Sequence, residues 1–306
     1  MVSIRFRFKA DITLFSYMEN QITKFKLHGQ YRTAETYSST LNSFKRFRGE
    51  ADITLKALDD DLLSDYCYYL KNRGVSQNTR AFYLKRLRAV YNKAVEENLV
   101  KNRHPFRNIS VSSEKTAKRA IPLKYIKQLK EQDLSHSASR CFARDMFLFS
   151  FYTRGMSFVD MAHLQKTNLR NGILSYRRKK TGQLLVMHWE PCMKKIAEKY
   201  QSEPGSPYLL SIIRPSDGDP RKQCHKVQTR INRQLKHIGR HLGLSLPLTM
   251  YVARHSWASI ARDEGIPLSV ISEGMGHESE RTTRIYLASL ETQVIDNANK
   301  KILKKL

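Results

Sequence analysis

Residues 276–287 read GHESERTTRIYL. A glycine and a histidine are followed nine positions after His277 by Tyr286, with two threonines and two arginines between them. A tyrosine with a pKa near 10 is only roughly 0.1% ionised at pH 7, so Tyr286 is a poor nucleophile unless its surroundings activate it. The chain holds 15 tyrosines, and for any one of them a place in the core is the ordinary outcome. The neighbouring stretches decide which role Tyr286 takes.

Immediately upstream, EGMGH at 273–277 ends a helix at a glycine and presents His277 at the start of the next segment. Further back, LTMYVARHSWAS at 248–259 places Arg254 on an apolar helix beside Val252, Ala253 and Ala258. A charge in that setting is costly to bury unless it is paired or faces a cleft. Further back again, NGILSYRRKKTGQLLVMHW at 171–189 alternates like a β-hairpin, with its turn at 179–183. Arg177, Arg178, Lys179 and Lys180 crowd its tip, from which a lysine reaches far from the sheet.

The whole chain has 306 residues, 54 Lys+Arg against 28 Asp+Glu, and a formal net charge of +26. The length suits two domains, and the charge calls for a polyanionic partner. Four cysteines, Cys67, Cys141, Cys192 and Cys224, show no metal or redox spacing. No apolar run is long enough to span a membrane, and the amino terminus MVSIRFRFKA lacks the apolar region of a signal peptide. The expected location is the cytoplasm.

Helical periodicity dominates the first hundred residues. Segments 14–29, 33–49 and 59–74 each end at a glycine, and a fourth helix over 76–99 begins at Ser76, read as its N-cap. In this fourth helix Leu84, Leu87, Tyr91, Ala94 and Val95 share a face, opposite Lys85, Arg86 and Lys93. From 103 to 120, RHPFRNISVSSEKTAKRA loses periodicity and reads as a linker. The fold class is therefore mainly α. A helical bundle at 1–105 precedes a linker at 106–120 and a mainly helical second domain at 121–306 with one small β-sheet.

Cleavage of a phosphodiester without metal needs a nucleophile, cations for the non-bridging oxygens and an acid for the leaving oxygen. Tyr, Arg, His and Lys supply all of these. The sequence has no zincin motif, phosphate-binding loop, nucleophile elbow or calcium loop, and no acidic cluster suited to two-metal chemistry. No cofactor is expected.

The stretches ARHSWAS (253–259) and GMGHESERTTRIYL (274–287) resemble the signature boxes of the tyrosine recombinase, or phage integrase, family. Members carry an H-x-x-R-H box, then L-G-H, then a tyrosine nine residues later. The resemblance covers nearly the whole chain, since residues 1–105 look like the helical, SAM-like core-binding domain. It implies a two-domain enzyme on duplex DNA, assembled as a homo-tetramer on two recombining sites. It also assigns roles. Tyr286 matches the nucleophile that forms a 3′-phosphotyrosine, Arg254 and His277 match phosphate ligands, and Lys180 matches the acid for the 5′-oxygen. The tail VIDNANKKILKKL (294–306) reads either as a solvated basic end or as an amphipathic helix that docks on a neighbouring protomer through Ile302, Leu303 and Leu306, and the resemblance favours docking.

Two positions depart from the family. Tyr251 stands where the H-x-x-R histidine belongs; it can hydrogen-bond a phosphate but is a poor base at neutral pH. In YTRGMSFVDMAHL (152–164), aligning Asp160 with the family's glutamate puts Ser157 at the position of the first arginine. Arg178, two residues before Lys180 on an expected strand face, and Arg154, one turn before Ser157, are the candidate substitutes, with Arg178 favoured. A decayed recombinase acting only as a DNA-binding architectural protein is the alternative, and a type IB topoisomerase a more distant one.

Overall fold

In the computed structural model residues 12–114, 119–277, 279–280 and 283–284 are described. The amino-terminal arm, Tyr286 and the expected docking helix lie outside them. The chain forms two compact units, 1–116 and 117–306.

The first unit holds helices α1 (Leu14–Leu27), α2 (Tyr31–Arg48), α3 (Asp60–Asn72) and α4 (Gln77–Glu96). Their ends follow local chemistry. Asp59 accepts from the Leu62 amide at the start of α3, where Asp60 and Asp61 complement the helix dipole, and Ser76 caps α4 through the Thr79 amide. Leu84, Leu87, Tyr91 and Ala94 of α4 are buried, as the periodicity requires. They join Leu14, Met18, Phe44 and Tyr66 in one core, where Phe44 and Tyr66 meet edge to face with centroids 4.9 Å apart.

The stretch expected to be a linker behaves differently. Phe106 is buried in the first core, and Ile109 and Val111 pack against it. Tyr91 Oη donates to the Lys101 carbonyl and accepts from the Arg103 amide, while Asn108 donates to Asp60 at 2.8 Å. The expected boundary at 105 thus falls inside the first unit. Three apolar side chains spread over six residues give no period, yet they suffice to fasten an irregular segment.

The second unit begins with α5 (Leu123–Glu131) and the apolar α6 (Ala138–Tyr152), then a short α7 (Phe158–Ala162). An antiparallel sheet follows, in the order β1 (Leu169–Arg170), β2 (Ile173–Arg177), β3 (Leu184–His188). Leu174 pairs with Met187 and Tyr176 with Leu185. These four are buried, so one face of the sheet joins the core, while Leu184 and Val186 face outward. Helices α8 (Pro191–Lys199), α9 (Pro220–His241), α10 (Met250–Asp263) and α11 (Leu268–Gly274) complete it. Helix α6 lies at the centre, with Met146, Phe147 and Phe149 fully buried against α8, α9 and α10. Among the described residues no helix is long and apolar enough to cross a membrane.

Candidate active site

Helix α10 carries Arg254 inward, only 6% exposed. Its guanidinium donates to the carbonyl of Gly155 at 2.8 Å and to that of Met275 at 2.7 Å, and Nη2 lies 2.9 Å from His277 Nε2. Arg178, 8% exposed, donates through Nη1 to the next carbonyl, that of Gly276. The turn after α11 therefore holds two guanidiniums on successive carbonyls. A carbonyl satisfies an N–H without cancelling its charge, so this arrangement keeps positive charge available to an anion.

Two glycines permit the approach. A Cβ at Gly155 would stand 2.7 Å from Arg254 Cα, and one at Gly276 would stand 2.7 Å from Arg178 Cδ. Both have positive φ, +76° and +65°, a region costly to other L residues.

His277 is half-buried beside these cations. Its pKa is lowered to about 4, first by burial and then by Arg254, Arg178 and Lys180, so the ring is neutral at pH 7. Nδ1 lies 2.6 Å from Oγ1 of the fully buried Thr283.

The candidate substitutes for the missing arginine sit differently from their expected geometry. β2 ends at Arg177, so Arg178 and Lys180 do not share a strand face. Arg178 opens the turn, with its amide donating to the Gln183 carbonyl and its own carbonyl accepting from Gly182. Its side chain is buried while Lys180 is exposed at the tip; both nevertheless act on His277. Arg154 shares no helix face with Ser157. α6 has ended, Arg154 adopts φ +60°, and its Nη1 lies 3.5 Å from the Val186 carbonyl. Ser157 is the N-cap of α7, accepting from the Asp160 amide and donating to Asp160 Oδ2 at 2.7 Å.

Asp160 Oδ1 accepts from the Lys179 amide at 2.7 Å, which ties the hairpin turn to α7. Sequence reasoning used Asp160 only to align a motif and counted Thr283 among the residues before Tyr286 without giving it a role. Gly276 was noted as a helix end, which hid its role as a seat for Arg178. Tyr251 is 48% exposed, with its ring edge-on to that of His255 at 4.4 Å.

Residues 13–111 match a family model described as the phage integrase SAM-like domain, and residues 135–293 match the phage integrase family model. The second match alone spans more than half of the chain, and the chain belongs to the phage integrase family, the tyrosine recombinases. Its class is that of the site-specific DNA recombinases. Tyrosine recombinase XerD of Pseudomonas putida is 26% identical over 260 residues, covering 83% of this chain and 85% of the relative. Tyrosine recombinase XerA of Pyrococcus furiosus is 26% identical over 266 residues, covering 76% and 90%. Among solved structures, XerH recombinase bound to a palindromic difH substrate in a post-cleavage complex aligns with a TM-score of 0.68 at 18% identity, covering 93% of this chain and 84% of that one. A lambda integrase tetramer bound to a Holliday junction aligns at 0.66 and 16%, covering 91% and 78%.

Proposed function

We propose that the cluster around Arg254 is the centre at which this recombinase breaks and rejoins duplex DNA through Tyr286. The tyrosine oxygen loses its proton to solvent as it attacks the scissile phosphorus, the bond to the 5′-oxygen breaks, and Lys180 supplies the proton that the leaving oxygen needs. The products are a 3′-phosphotyrosine and a free 5′-hydroxyl, and the reverse attack by a partner strand's hydroxyl reseals the backbone. Bond energy is conserved, so no nucleotide cofactor is required.

Arg254 and Arg178 bind the non-bridging oxygens, and His277 donates to one of them. Tyr251, accessible on α10, hydrogen-bonds the same phosphate. Arg154 serves the turn between α6 and α7. The observation that carries this reading is the pair of guanidiniums held on the carbonyls of residues 275 and 276 beside His277. It also weighs against the alternative of a decayed DNA-binding protein: Ser157 brings no charge, but Arg178 brings one to the same cluster. The functional division follows the two family matches, a DNA-gripping amino-terminal domain and a catalytic domain, with four protomers on two synapsed sites.

A nicked suicide duplex carrying a cleavage site selected from a random library should trap a denaturation-resistant adduct, in excess EDTA. Tyr286→Phe should lose it. An adduct that persists in the Phe variant would show that another residue is the nucleophile.

A further inference from the structure

Among the described residues, the His277 ring nitrogens meet one group that can only donate, Arg254, and one that can do either, Thr283. A guanidinium has no acceptor, so with Arg254 Nη2 2.9 Å away, Nε2 presents its lone pair and the ring proton sits on Nδ1. Nδ1 lies 2.6 Å from Thr283 Oγ1, so the imidazole donates and the hydroxyl accepts. For binding phosphate this is the wrong tautomer. A phosphate oxygen offers lone pairs, and the nitrogen on the Arg254 side of the ring has no hydrogen to give it.

We propose that Thr283 is a positioning residue whose hydroxyl lets His277 change tautomer when a phosphodiester enters: it accepts from Nδ1–H in the unliganded protein and donates to Nδ1 once the proton resides on Nε2. An entering phosphate oxygen takes over the Arg254 N–H. Water takes the proton from Nδ1 and returns one to Nε2, so the ring stays neutral and no net proton is gained or lost. Among the described residues, the charged groups acting on the ring are the cations Arg254, Arg178 and Lys180, and they resist the alternative of a second ring proton. A hydroxyl reverses its role by rotating about one bond. Thr283 is fully buried and lies three residues before Tyr286 in the sequence, so the same bond anchors the segment that leads to the nucleophile.

The inference rests on the reading of Arg254, His277 and Tyr286 as the reaction centre, and two measurements keep the two apart. In the full chain labelled with 15N-histidine, long-range 1H–15N spectra report the tautomer, and His277→Gln identifies the signal. At pH 7 the free protein should show Nδ1–H. Bound to the selected duplex in a Tyr286→Phe background, which prevents cleavage, it should show Nε2–H. Thr283→Val fills the same volume without a hydroxyl; single-turnover cleavage should fall roughly tenfold, as for loss of one hydrogen bond, with DNA affinity and melting temperature near wild type. Thr283→Ser should restore most of the rate, which a purely space-filling role does not predict.

A free ring already protonated on Nε2, a doubly protonated ring in the complex, or full cleavage by Thr283→Val would each overturn the proposal. An adduct surviving in Tyr286→Phe would instead sink the reaction-centre reading and leave the tautomer result standing. If Thr283→Val does not fold, the wild-type spectra and the Ser variant still decide.

Discussion

Arg178 brings a second guanidinium to a turn that already binds Arg254, and among the described residues both rest on backbone carbonyls, whose dipoles offset part of the repulsion. A phosphoryl transition state gathers charge on its non-bridging oxygens, and losing one donor there costs about 10²–10³ in rate, or roughly 3–4 kcal/mol. Arg178→Ala should therefore abolish single-turnover cleavage while DNA binding stays near wild type. Arg154 adopts a left-handed backbone beyond the end of α6, and Arg154→Ala should mainly lower the melting temperature. Full cleavage by the first variant with none by the second would reverse these assignments. His277 makes a pH prediction of definite sign. Its pKa is about 4 in the folded protein against about 6.5 in an unfolded chain, so the unfolded state takes up its proton first as pH falls. The stability is present above pH 6.5 and is lost as pH drops toward 4. Melting temperature should decline from pH 7 to pH 5, and His277→Gln should flatten part of the decline; an unchanged slope would contradict the buried neutral ring. At this scale Arg254 and His277 were legible in the sequence, because a charge in an apolar helix and a histidine behind a helix-ending glycine are conspicuous. Spacing alone left Arg178 and Arg154 nearly equal. The path of the hairpin turn separates them, and no local pattern encodes that path.

Elements seat these side chains through their ends more than their middles. The turn after α11 offers two carbonyls, and Gly276 lets the Arg178 stem lie across it. An alanine there would put a methyl 2.7 Å from Arg178 Cδ, 3.2 Å from Gln183 Oε1 and 3.2 Å from Leu185 Cδ1. It would also hold an L side chain in the left-handed region, at about 1–2 kcal/mol. Gly276→Ala should thus cost cleavage far more than it costs folding. Gly155→Ala meets the Arg254 backbone at 2.7 Å, which cannot swing aside, so its melting temperature should fall further. Calorimetry and single-turnover cleavage on both variants check this ordering, and equal losses in both would contradict it. Helix positions were readable where apolar period and cap agree, as for α4 at Ser76. The hairpin was readable from alternation, but its extension to Lys180 was not, since β2 yields to a turn after Arg177. The segment after α4 was misread because Phe106, Ile109 and Val111 are too few to show a period.

On the scale of the whole molecule, the excess of 54 basic over 28 acidic residues sets how the protein meets DNA. Each phosphate neutralised by Lys or Arg releases condensed counterion, so log K falls with log salt at about −0.9 per phosphate. Basic side chains are spread over both units: Lys85, Arg88 and Lys93 are exposed on α4, and Lys179 and Lys180 at the hairpin tip. An enzyme whose two domains both grip the backbone makes many such contacts, and 6–10 of them lower affinity by about 10³–10⁵ between 50 and 200 mM salt. Titrating a fluorescent duplex against the full chain over that range should give a slope several units steeper than the catalytic domain gives alone. The Arg178→Ala slope should differ from wild type by no more than one contact, because one side chain neutralises at most one phosphate. A nearly flat dependence for the full chain, or identical slopes for the full chain and the catalytic domain, would mean that the first domain's positive charge is not directed at DNA.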